Sequence, residues 1–147
     1  MMWSVYIRRG KVFVPSQSKT EAGFYVSGNP VYIVDAADVE GIKQSITQVI
    51  DRGCPVIPTP SVKQLEKWAV LQCAGVASIA TFEKGASCWT IHKDATSFRF
   101  GSVKKISPRG WETEPDTPHL LSNNLPSDVI AEEIAKAISI VAAQVTK

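Results

Sequence analysis

No apolar run in this 147-residue chain approaches the roughly 20 residues that a membrane-crossing helix needs. The opening Met-Met-Trp-Ser-Val-Tyr-Ile-Arg-Arg also lacks the order of a secretory signal, a basic end followed by an apolar run. Cysteine is sparse and odd in number: Cys54, Cys73 and Cys88. With no signal, that count points to free thiols in a reducing compartment, so the expectation is a cytoplasmic protein. Nothing in the sequence is repeated or low in complexity. At 44% hydrophobic and 20% charged residues, the composition is that of one ordinary globular domain spanning 1–147.

Chemistry-bearing residues are equally scarce. There are two histidines, His92 and His119. Cys88 and His92 lie four apart on one expected strand, which sets their backbones roughly 13 Å apart. A nucleophile and its base need hydrogen-bond reach of about 3 Å, so the pair fails as a dyad. His119 sits between Pro118 and Leu120 with nothing nearby to orient it. No Cys-x-x-Cys or His-x3-His spacing closes a metal chelate. Gly23, Gly28 and Gly53 stand apart from any phosphate-cradling pattern. The reading therefore assigns no catalytic residue, no metal and no cofactor.

Charge is unevenly placed. From Gly110 to Ala135 there is no lysine or arginine but six acids: Glu112, Glu114, Asp116, Asp128, Glu132 and Glu133. The chain before Gly110 holds 14 basic and 8 acidic residues, so the overall charge of +2 conceals a basic part and an acidic one. Opposed patches steer and orient partners. Two basic groups, Arg8–Arg9–Lys11 beside Tyr6 and Phe13, and Lys104–Lys105–Arg109, have the composition of an RNA-contacting surface. The pI of about 8.4 and the acidic stretch oppose that reading, and solvated basic turns are the simpler expectation.

Periodicity places the elements. Trp3, Val5 and Ile7 alternate with polar residues as in a half-buried strand, Arg9-Gly10 turns the chain, and Lys11–Val14 returns until Pro15. Ser16–Glu21 reads as a polar loop, and Gly28-Asn29-Pro30 as the turn between strands Phe24–Val26 and Val31–Val34. Asp38 caps a helix carrying Val39, Ile42, Ile46, Val49 and Ile50 and ended by Gly53, with Gly41 a weak point. Cys54–Pro60 is extended. Ser61 and Gln64 form a capping box for a second helix, with a stripe of Leu65, Trp68, Ala69 and Cys73, closed by Gly75. Val76–Phe82, Ser87–His92 and Ser97–Phe100 read as a three-stranded meander, with Val103–Ile106 a further edge strand. Residues 107–126 read as surface loop, and Ser127 as the cap of a last helix. The sum is an α+β fold, an antiparallel sheet of about five to seven strands with three helices packed on it. An exposed first strand would allow a homodimer as well as a monomer.

Trp111 differs from the other tryptophans. It stands in Pro108-Arg109-Gly110-Trp111-Glu112-Thr113-Glu114-Pro115-Asp116, polar and punctuated by prolines. An aromatic among carboxylates has the composition of a protein-binding anchor with a charged rim; the other reading folds it back onto the core. The partner-binding candidates are therefore Trp111, Glu112, Glu114 and Asp116. In its length, its opening Met-Trp-Ser-Val-Tyr-Ile strand, its helices and this acidic segment, the chain resembles the small bacterial immunity proteins of polymorphic and contact-dependent toxin systems. The resemblance implies binding of a cognate toxin domain, with occlusion of its active site. The alternatives from the residues themselves are a small cysteine- or histidine-dependent enzyme and an RNA-binding accessory protein.

Overall fold

The computed structural model describes residues 1–61, 63–64, 69–75, 79–84, 86–107, 110–113, 119–122 and 124–145, with the backbone alone at 79–80, 83, 103–107, 110–113, 119–120 and 141–145. Strand β1 (Met2–Arg8) turns at Arg9 and Gly10, both at positive φ (51° and 75°). That is the mirror-image turn whose twist matches a hairpin. Strands β2 (Lys11–Thr20) and β3 (Tyr25–Asp35) follow. After helix α1 (Val39–Arg52) come β4 (Val56–Ile57), α2 (Ala69–Ala74) and α3 (Ile79–Lys84). Strands β5 (Ala86–Lys93), β6 (Ser97–Ser107), β7 (Gly110–Thr113) and β8 (His119–Ser122) precede helix α4 (Ser127–Val145). The sheet order is β3-β2-β1-β5-β6-β7, with β8 on the other half of β6 and β4 beside the far end of β2. All pairs are antiparallel except β2 with β4. This is the expected α+β class.

Alternation along the strands assigns the two faces of the sheet. Trp3, Val5 and Ile7, in register with Ile91, Trp89 and Ser87, face α1 and α4. There they join Ile42, Ile46 and Val49 of α1 and Ile130, Ile134 and Ile138 of α4 in the main core. The Trp3 indole N–H donates to the Val49 carbonyl at 3.1 Å, which ties β1 to α1. The opposite face carries Tyr6, Phe13 and Val31, covered by Val70 and Leu71 of α2 and Phe82 of α3. Phe82 meets Tyr6 and Phe13 edge-on, at centroid distances of 5.4 and 5.7 Å.

Helix α1 is capped as expected: Gly41 N–H donates to the Asp38 carboxylate at 3.0 Å, and Gly53, at φ 74°, closes the last turn on Val49 and Ile50. Gly41 is no weak point. A methyl there would lie 2.6 Å from Val34 Cγ1 and 2.5 Å from Asp38 Oδ2, so glycine is what lets α1 approach β3. The Ser61–Gln64 capping box is formed in both directions, at 2.8 and 3.3 Å. Gly75, at φ 70°, follows α2. Leu65 and Trp68 lie outside the described residues, and the α2 stripe runs through Ala69, Val70 and Leu71 rather than the exposed Cys73.

Several expectations give way to tertiary pairing. Ser16–Thr20 is strand, not loop. Its buried polar side chains are served by neighbours: Ser16 Oγ donates to the Pro30 carbonyl at 2.8 Å and Gln17 Nε2 to Ser27 Oγ at 2.7 Å. Gly28-Asn29-Pro30 is no hairpin turn either. It lies inside β3, where the register with β2 shifts between Pro15 and Ser16 and absorbs both prolines in one irregularity. Ile79–Lys84 is helix rather than strand. The neighbour of β5 is instead β1, which lies inside the sheet and offers no edge to a twin. Val103–Ile106 continues β6, and the stretch read as surface loop contributes β7 and β8. The Ser127 hydroxyl donates to Asp51 at 2.7 Å and so joins α4 to α1 instead of capping α4. The Pro126 carbonyl accepts the first helical bond.

Candidate partner-binding edge

The outermost strand on the β6 side is β7, which carries Trp111 and Glu112. Its register on β6 is Val103 with Thr113, Lys104 with Glu112 and Lys105 with Trp111. The sequence separates these basic and acidic residues into opposed parts of the chain; the fold sets Lys104 and Lys105 on the strand next to Trp111 and Glu112. Glu114 and Asp116 lie outside the described residues. A strand ending the sheet leaves one side of its backbone without a sheet partner, which is where another chain engages most readily.

The remaining acids lie elsewhere. Asp128, Glu132 and Glu133 are on α4, whose apolar side packs into the main core. Lys136 reaches Glu132 at 3.7 Å and Glu133 at 3.8 Å on the same helix. Pairs this exposed contribute a few tenths of a kcal/mol at most. The four acids among the described residues therefore divide between an edge strand, with Glu112, and a helix, with the other three.

The thiols and imidazoles are dispersed. Cys88 is buried in β5, Cys73 is exposed on α2, and Cys54 is half-buried with its thiol facing the Met2 carbonyl at 3.6 Å. Burial pushes the Cys54 thiol pKa up, against smaller lowering effects of that carbonyl contact and the N-terminal ammonium. A raised pKa is the opposite of an activated nucleophile. His92 lies on the second face, across from Met2 on one side and Arg99 on the other. Partial burial lowers its pKa, and Arg99 and the N-terminal ammonium lower it further. His119 is on β8, in register with Phe100, rather than in a loop. Among the described residues no group of three or more His, Cys, Asp or Glu side chains is placed to hold a metal. No described helix is long and apolar enough to cross a membrane.

The basic group at the β1–β2 turn departs from expectation. Lys11 is exposed but bonded to Asp35 at 2.6 Å. Arg8, expected to be solvated, is only 8% exposed. Strand alternation argued against it, because Arg8 shares the phase of Ser4 and Tyr6 that a half-buried strand turns to solvent; Phe82 and its neighbours cover that phase.

Comparison with known proteins rests on fold. The sequence matches no family model and no curated protein. Among solved structures, a chain of the CdiA-CT/CdiI toxin and immunity complex from Yersinia pseudotuberculosis matches with a TM-score of 0.66 at 10% identity. That match covers 96% of this chain and 95% of the other. The fold is shared. The Neisseria meningitidis protein NMB0488, of unknown function, matches equally well, with a TM-score of 0.66 at 11% identity over 94% of this chain and 93% of that one.

Proposed function

We propose that this chain is a non-catalytic protein-binding module: an immunity protein that neutralises a cognate bacterial toxin domain by occluding its active site in the cytoplasm. The observation that carries the reading is the near-complete fold match to a chain of a toxin and immunity complex. A second, independent support is the position of Trp111 and Glu112 on a strand that ends the sheet among the described residues. In this reading Trp111 is the anchor, and Glu112, Glu114 and Asp116 supply the charge match to a cationic partner. No specific observation favours the enzyme alternative: the described thiols are buried, raised in pKa or remote from a base.

The reading predicts a toxin domain encoded beside this chain's gene, and a neighbourhood without one would count against it. Co-expression of the two should restore growth that the toxin domain alone arrests. Trp111→Ala combined with Glu112→Lys should weaken the complex about 10- to 100-fold, measured by titration calorimetry. Growth arrest unaffected by the chain would sink the function. Restored growth with undiminished affinity of the double variant would sink only the assigned site.

A further inference from the structure

Arg8 is buried with no partner for its Nε among the described residues. It ends β1 on the second face, in register with Lys11 on β2 and Ala86 on β5. Its side chain is more than nine-tenths buried, and Nε is sealed from solvent with no hydrogen-bond acceptor among the described residues. Its Cζ stands 5.8 Å from the centroid of the Phe82 ring. A ring beneath the guanidinium stabilises the charge through its quadrupole but accepts none of the N–H groups in the guanidinium plane. Asp35, the acid two strands away at the same level, is occupied by Lys11 at 2.6 Å. Exposed Arg9 and Lys84, beside it in the chain and just before Ala86, add charge of the same sign.

A desolvated N–H that no acceptor reaches is costly in a folded protein, and among the described residues no acid is paired with Arg8. Phe82 and the aromatic cluster hold it nonetheless. We propose that Arg8 is the recessed cation of an oxyanion-binding site at the β1–β2 turn, taking a carboxylate or a phosphate group, with Arg9 and Lys11 at its mouth. The planar fork of guanidinium N–H groups matches those oxyanions two bonds at a time. Arg8 keeps 8% of its surface exposed, the part that a small oxyanion would meet. The proposal goes beyond the toxin-binding reading and does not depend on it, since the site lies on β1 and not on β7.

The experiment follows the Arg8 side-chain N–H resonance of the intact chain, assigned by its disappearance in Arg8→Lys, as inorganic phosphate or acetate is added at constant ionic strength. The sealed Nε–H should shift saturably. The melting temperature should rise by about 3–5 °C at roughly tenfold excess over the dissociation constant. Arg8→Met keeps the apolar stem and should lack the part of the rise that comes from the site. That variant also serves as the control for the general salting effect of phosphate, which acts on both proteins alike. A response to phosphate alone identifies a free or bound phosphate as the natural ligand; a response to acetate alone identifies a carboxylate. An unmoved Arg8 resonance with both anions, or an equal rise in Arg8→Met, overturns the proposal. Should Arg8→Met fail to fold, the resonance in the unaltered chain decides alone.

Discussion

The two faces of the sheet are built by different means. The face toward α1 and α4 is aliphatic and aromatic throughout: nineteen buried residues join in one cluster, held by helices of 14 and 19 residues. Trp3 stacks at 6.5 Å on Phe98, and Trp89 at 6.5 Å on Phe100. The opposite face, among the described residues, joins four buried residues, Phe13, Val70, Leu71 and Phe82, and it encloses a guanidinium. With the larger buried cluster on one face, stability is concentrated there, while the other is the part able to open locally.

Truncation on each side separates them. Trp3→Ala removes a fully buried indole, its stacking partner and its bond to Val49, and should cost about 3–5 kcal/mol in urea unfolding. Phe82→Ala should cost less, about 2–4 kcal/mol, because part of its loss is relieved by hydration of Arg8. The qualitative difference is sharper than the energies. Native-state hydrogen exchange should show α2 and α3 deprotected in Phe82→Ala while α1 stays protected, whereas Trp3→Ala should lower protection everywhere. Equal deprotection of α1 in both would break the comparison. A smaller effect comes from Gly41→Ala. Helix propensity alone favours alanine by about 1 kcal/mol, yet the methyl collides with Val34 and the capping carboxylate. The net expectation is destabilisation by about 1–2 kcal/mol, and a more stable variant would mean that α1 can shift away from β3.

The main-core face was the legible one. Trp3, Val5 and Ile7 alternate, the α1 stripe recurs at helical spacing, and Asp38 and Gly53 bound it with side-chain and backbone chemistry that is local in sequence. The Arg9-Gly10 and Lys93–Thr96 turns are local in the same sense. What escaped the sequence is non-local. Ser16, Gln17 and Thr20 look like loop because polarity is judged without knowing that Pro30, Ser27 and Phe24 will supply their partners. The short apolar run ending at Phe82 carries no periodicity that separates strand from helix, and β1 takes the place beside β5 that this run was expected to fill. In the candidate site, composition pointed to Trp111 and Glu112, but not to their place on an edge strand opposite Lys104 and Lys105. That pairing is set by the β6 register and by nothing adjacent in the chain.

The smallest expected effects are pH-dependent, and they fall in separate windows. His92, on the second face, has a lowered pKa from burial, Arg99 and the N-terminal ammonium, so the unfolded chain binds its proton more tightly than the folded one. Stability from this group is present above the ordinary value of 6.5 and is lost as pH falls below it; His92→Gln should flatten that slope. Asp94, in the turn between β5 and β6, behaves differently. Its carboxylate accepts the backbone N–H groups of Thr96 and Ser97, each at 2.8 Å, and the hydroxyls of both residues at 3.2 and 3.3 Å. Those bonds hold its pKa at about 2, against an ordinary 3.8. The folded state thus keeps the charge to lower pH than the unfolded state does. The stabilisation is complete above 3.8 and declines as pH falls toward 2. Asp94→Asn should consequently differ from the unaltered chain in thermal melts at neutral pH and converge with it near pH 2, while His92→Gln should differ from it in the slope that begins below pH 6.5. A single merged transition would show that the turn and the second face are coupled after all, and that the sheet does not behave as two separable surfaces.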